Sequence, residues 1–156
     1  ATDWVVITNL GAQVRVEWVK GGRTVKVKAR PVPADQPLAA HMGLLMALRA
    51  MVAEGVRERT FFMQDMSGGA THMTVRDEGS EILTVKAGTF HCRRLVGELD
   101  IPLVRPRITY WVTEQAPHFL VKHYGKRGML TPVFASELVS ATPGLPSVGG
   151  ASPGRW

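Results

Sequence analysis

A single cysteine in 156 residues, Cys92, excludes an internal disulfide, so burial and hydrogen bonding must hold the fold. No apolar stretch approaches the roughly 18 residues that a membrane-spanning helix needs, and no signal-peptide pattern is present. That absence leaves the compartment open. The five histidines, His41, His72, His91, His118 and His123, fall in no HxH or HExxH spacing, and no CxxC accompanies them. The expectation is no metal, no cofactor and no catalytic residue. Gly21-Gly22 and Gly68-Gly69 lack the lysine-serine and strand-to-helix context of a phosphate loop, and no two carboxylates share a strand face at a spacing for acid/base work.

What is present is ordinary globular material with a basic balance. The chain is 45% hydrophobic and 21% charged, which is enough for one domain with a real core. A net charge of +6 points to an anionic partner or to a basic solvated face.

Strand signals dominate the chain. Val14, Val16 and Trp18 alternate with polar residues before Lys20-Gly21-Gly22-Arg23, and Val25, Val27 and Ala29 alternate with Lys26, Lys28 and Arg30 after it. Paired glycines accept the positive φ of a tight turn, so this predicts a hairpin with one apolar and one basic face. A helix is expected near residues 36–54, with Asp35 as its cap, Pro37 in its first turn and Gly55 as its stop. Leu38, Met42, Leu45, Leu48, Met51 and Val52 recur along it at helical spacing. Short strands then follow, with turns at Ser67-Gly68-Gly69 and Asp77-Glu78-Gly79. A slip of the alternation at Arg93-Arg94 reads as a β-bulge. The expected fold is mainly β (α+β): a curved antiparallel sheet or half-barrel of about eight to ten strands with one long apolar helix on its concave face. Residues 1–140 form that single domain, and 141–156, rich in Pro, Gly and Ser, read as a flexible tail or linker.

Thr84-Val85-Lys86-Ala87-Gly88-Thr89-Phe90, with Tyr110-Trp111-Val112, Ala116-Pro117 and Leu120-Val121-Lys122 downstream, resembles a group of uncharacterised bacterial envelope domains. The shared features are a Val-x-Ala-Gly-Thr-Phe turn and a Tyr-Trp…Pro…Leu-Val-Lys strand pair, over roughly forty residues from Leu83 to Tyr124. The resemblance implies a strongly curved antiparallel sheet, a half-barrel architecture like that of lipoprotein carriers, and a place in the periplasm or cell envelope.

Methionine supplies the functional expectation. Met42 and Met46 on the helix and Met63 and Met73 on the strands, with Leu45, are candidates to line an adaptable apolar cavity. Arg94, Arg107 and Lys122 are the candidate rim cations for an anionic head. The expected function is therefore a non-enzymatic envelope domain that binds a lipid, an acyl chain or another anionic amphiphile between helix and sheet. The alternative is a packed interaction module that meets a protein partner, or a second copy, through a sheet edge. Nucleic acid is disfavoured, because Trp111 and Tyr124 stand among core-like neighbours rather than as stacking platforms. Cys92 alternates with Phe90 and reads as a buried, inert thiol.

Overall fold

The computed structural model, which describes residues 3–40, 43–64, 69–103, 105–126 and 133–140, divides its strands between two sheets. The smaller one is a meander of β1 (Trp4–Asn9), β2 (Gln13–Lys20) and β3 (Arg23–Pro31). Lys20 pairs with Arg23 across Gly21 and Gly22, whose φ values of 56° and 72° fit the two left-handed positions of a type I′ hairpin.

A bulge then changes what that hairpin presents. Val19 pairs with Thr24 but Trp18 pairs with Lys26, which leaves Val25 as an extra residue in β3. A one-residue shift moves every later side chain to the other face. Val14 consequently lies opposite Arg30, and Val16 opposite Lys28. The expected separation into an apolar and a basic face is thus replaced by one face carrying the β2 valines and the β3 cations together. The Lys26 and Lys28 ammonium groups lie 4.9 and 5.9 Å from the Trp18 ring centre.

The larger sheet contains β4 (Leu38–Ala40), β5 (Glu58–Gln64), β6 (Ala70–Val85), β7 (Gly88–Leu99), β8 (Arg107–Thr113), β9 (Leu120–Lys126) and β10 (Val133–Glu137). Its spatial order, β10-β9-β8-β7-β6-β5-β4, follows the chain in reverse, and every pairing is antiparallel except β4 with β5. Among the described residues both sheets are open, and neither closes into a barrel.

The long helix expected over 36–54 is corrected to α1, Gly43–Ala53, of 11 residues. Leu38, placed in that helix by its spacing, belongs to an edge strand instead. Leu38 pairs with Phe62 and Ala39 with Met63, and the Phe62 N–H donates to the Pro37 carbonyl at 3.0 Å. Pairing with the open edge of β5 satisfies backbone groups on both strands, and Pro37, which has no N–H to give, sits just outside the ladder. The fold is therefore strand-dominated, with a short helix where a half-barrel with a long one was expected. The end of α1 follows the sequence. Gly55 takes φ 67°, the Val56 N–H reaches the Met51 carbonyl at 2.9 Å and the Gly55 N–H the Val52 carbonyl at 3.2 Å, which is a Schellman ending.

The expected turn at Asp77-Glu78-Gly79 is absorbed inside β6, a strand of 16 residues. Asp77 pairs with Leu95 and Ser80 with Arg93, so the extra residue sits in β6, while β7 runs unbroken against β8. Gly79 at φ 114° accommodates the bulge, and its N–H is held by Asp77 Oδ1 at 2.9 Å.

The slip at Arg93-Arg94 has a different cause from a bulge in that strand. Strict alternation along β7 sends Leu95 to one face and Phe90 and Cys92 to the other, and each face is buried over a different stretch. Leu95 joins Phe61, Met73, Val75, Ile108, Tyr110 and Val112 beneath Leu44, Leu48 and Met51 of α1. Phe90 and Cys92 join Val121, with Leu83, Trp111 and Leu138 packed around them. A twisted sheet can cover opposite faces at its two ends in this way.

Candidate functional site

The space between α1 and the sheet is occupied by protein side chains. Met73, a candidate cavity residue, is 1% exposed within the cluster under the helix, and Met63 packs partly buried against that cluster. Leu45 is half-buried, while Met46 is 61% exposed and so lies outside the core. Met42 and His41 lie outside the described residues. The stripe that α1 buries runs through Leu44, Leu48 and Met51, with Leu45 at its margin and Met46 outside it.

The three candidate rim cations lie on the sheet face opposite α1. Cross-strand partners share a face, and Arg94, Trp111 and Lys122 form one row across β7, β8 and β9. Arg94 pairs with Glu78 at 3.0 Å, and the Lys122 ammonium lies 5.9 Å from the Trp111 ring centre. Arg107 belongs to a second row, Thr60–Thr74–Glu98–Arg107, which crosses β5 to β8. Thr74 alternates with Met73 and Val75 of the core, which fixes this row on the open face.

A groove of about 360 Å³ opens over that second row. Gln36, Thr60, His72, Thr74, Arg76, Glu98, Asp100 and Arg105 line it. Every one of these side chains is polar, and the lining holds two guanidinium groups and two carboxylates. The Thr60 and Thr74 hydroxyls are 3.0 Å apart. Glu98 accepts from Arg107 Nε at 3.2 Å and lies 3.5 Å from Arg105. Arg76 Nε donates to Glu58 at 2.5 Å. These pairs are solvent-exposed on the arginine side, so each adds no more than about 1 kcal/mol and is easily exchanged for a ligand.

His72 is set by its neighbours. Its Nδ1 lies 2.6 Å from Gln36 Oε1, an atom that can only accept, so in the neutral ring Nδ1 is the donor and Nε2 is left as an acceptor. Phe62 packs edge-on to the imidazole with ring centres 5.7 Å apart. The His72 carbonyl accepts from the Asp100 N–H at 2.9 Å, and Thr71 Oγ1 donates to the Asp100 carbonyl at 2.7 Å, which fixes Asp100 beside the histidine. Sequence reading missed the grouping because Asp100 and Glu98 come beside His72 and Arg76 only through the register of β7 with β6. Among the described residues no group of three or more His, Cys, Asp or Glu side chains is placed to hold a metal ion.

Cys92 is fully buried, and burial pushes its thiol up to about 12, with the Glu114 and Glu81 carboxylates adding to the shift. A neutral thiol in the fold and a normal one in the unfolded chain mean that the unfolded state releases its proton first as pH rises. Stability should fall between about pH 9 and pH 12, by up to about 1.4 kcal/mol per pH unit from this group. Denaturant titrations of the wild type and Cys92→Ala over that range measure it. The expected result is a shallower alkaline decline in the variant, and identical slopes would contradict it.

No family model matches this chain, no curated protein is significantly similar to it, and no solved structure matches its fold.

Proposed function

We propose that the chain is a non-enzymatic binding module of the bacterial cell envelope that holds a small polyhydroxylated acid, such as a sugar acid, in the groove on the open sheet face. The observation that carries this reading is the mixed lining of that groove. Glu98 and Asp100 suit adjacent ligand hydroxyls, Arg76 and Arg105 suit a carboxylate, and the His72 Nε2 is one more acceptor. Its volume lies at the small end of ligand pockets, about 300–1,000 Å³, which favours one or two sugar rings over a lipid. An acyl chain would have to displace the cluster that fills the space beneath α1. The envelope assignment rests on the resemblance of Leu83–Tyr124 to envelope domains.

Calorimetric titration with glucuronate, glucose and palmitate separates the possibilities. Glucuronate should bind and glucose should bind more weakly, since only the acid uses the arginines. Arg105→Ala should weaken glucuronate about tenfold or more, the worth of one charge-assisted hydrogen bond. Saturable binding of palmitate without binding of glucuronate would restore the apolar-carrier reading.

A further inference from the structure

Charge is concentrated in the small sheet rather than spread over the chain. Residues 3–31 carry six Lys or Arg and two carboxylates. Both carboxylates are engaged: Asp3 Oδ2 accepts from the Gly21 N–H at 2.5 Å, and Glu17 pairs with Arg15 at 3.0 Å. The turn end of this sheet holds Lys20 and Arg23 as a cross-strand pair, with Lys26 just beyond the bulge. The same end exposes two large apolar side chains. Trp4, the partner of Val19, is 56% exposed, and Val25, the bulged residue, is 60% exposed. This end therefore carries exposed tryptophan and valine together with three cations against the one Asp3 carboxylate, Trp4 on the face of Val19 and Thr24 and the cations on the alternate face, which is an unusual surface for water alone.

We infer that this end of the β1–β3 sheet docks on an anionic membrane surface, with Trp4 and Val25 entering the headgroup layer and Lys20, Arg23 and Lys26 contacting the headgroups. Charge complementarity favours an anionic occupant, and the apolar pair favours a bilayer among such occupants. Tryptophan is favoured at the membrane–water boundary, and each nearby cation adds about 1 kcal/mol of attraction to an anionic leaflet. A nucleic acid could stack on the exposed Trp4 ring but would leave Val25 in water. Valine has nothing to offer a phosphate backbone. The surface is separate from the groove and does not depend on what the groove holds.

Flotation of the full chain with vesicles tests the inference. Binding is expected to phosphatidylcholine vesicles containing about a third phosphatidylglycerol, to weaken with added salt, and to be absent with phosphatidylcholine alone. The Lys20→Gln/Lys26→Gln variant should lower partitioning about 25-fold, or about fivefold per cation. Trp4→Ser should lower it independently of salt, and Arg105→Ala in the groove should leave it unchanged. Circular dichroism confirms that each surface variant is folded. Equal binding to both vesicle types, or no effect of the double variant, would overturn the inference. Binding of a single-stranded oligonucleotide that depends on Lys20 and Lys26, with none to vesicles, would overturn it and assign the patch to nucleic acid.

Discussion

Truncation of Met73 to alanine should destabilise the protein by about 2–5 kcal/mol and lower its Tm by about 10 °C. Met46→Ala should change stability by less than about 0.5 kcal/mol. Both methionines were candidates for one cavity, and the structure separates them by burial. Met73 is 1% exposed among Phe61, Val75, Leu95 and Tyr110, and a Cβ built on Gly97 would stand 2.9 Å from its sulfur. A side chain packed that closely leaves a void when it is cut back, and the void adds its own cost to the lost transfer energy. Met46 is 61% exposed, so little is lost with it. Urea unfolding of the two variants measures the contrast. A lipid cavity under α1 predicts otherwise: Met73→Ala would enlarge an existing space cheaply and would change ligand affinity more than stability.

Asp77→Ala should cost about 3 kcal/mol, the lower end of what breaking a buried ion pair costs. The Asp77 side chain is 7% exposed and that of Arg93 19%. Arg93 Nε donates to Asp77 Oδ1 and Oδ2 at 3.1 and 2.9 Å, and Nη2 adds a third bond to Oδ2 at 2.5 Å. Removing the carboxylate strands the guanidinium in a largely enclosed place and also frees the Gly79 N–H at the bulge. Glu114, 3.7 Å from Arg93 Nη1, compensates in part, as does the solvent that reaches Arg93. The double variant Asp77→Leu/Arg93→Met should recover most of the loss, because neither charge then remains. A single-variant cost below about 1 kcal/mol would mean that the pair is solvated and that the bulge does not depend on it.

The sequence was legible where a local rule had no competitor. Gly21-Gly22 fixed a hairpin turn, Gly55 ended a helix, and Phe90 and Cys92 were read as core, because turn conformation and alternation are set within a few residues. It misled where tertiary pairing overruled a local preference. Leu38 to Ala40 suit a helix by spacing, but the open edge of β5 recruits them as a strand. Asp77-Glu78-Gly79 has the composition of a turn, yet the neighbouring β7 continues past it and the segment becomes a bulge. Val25, one residue out of register, reverses the face of everything after it in β3. The groove was invisible for the same reason: Thr60 and Glu98 come beside His72, Thr74 and Arg76 of β6 only through register. Arg107, expected at the rim of a cavity beneath the helix, stands on the opposite sheet face beside Glu98.

The most direct test of the account is a nuclear magnetic resonance titration with glucuronate that follows backbone amides and the histidine rings together. The account predicts saturable shifts centred on His72, Thr74, Arg76, Glu98 and Asp100, including the His72 imidazole, with Leu48, Met63 and Met73 unmoved. Shifts that concentrate at Leu45, Met63 and Met73 on adding palmitate, with none at His72 on adding glucuronate, would contradict it.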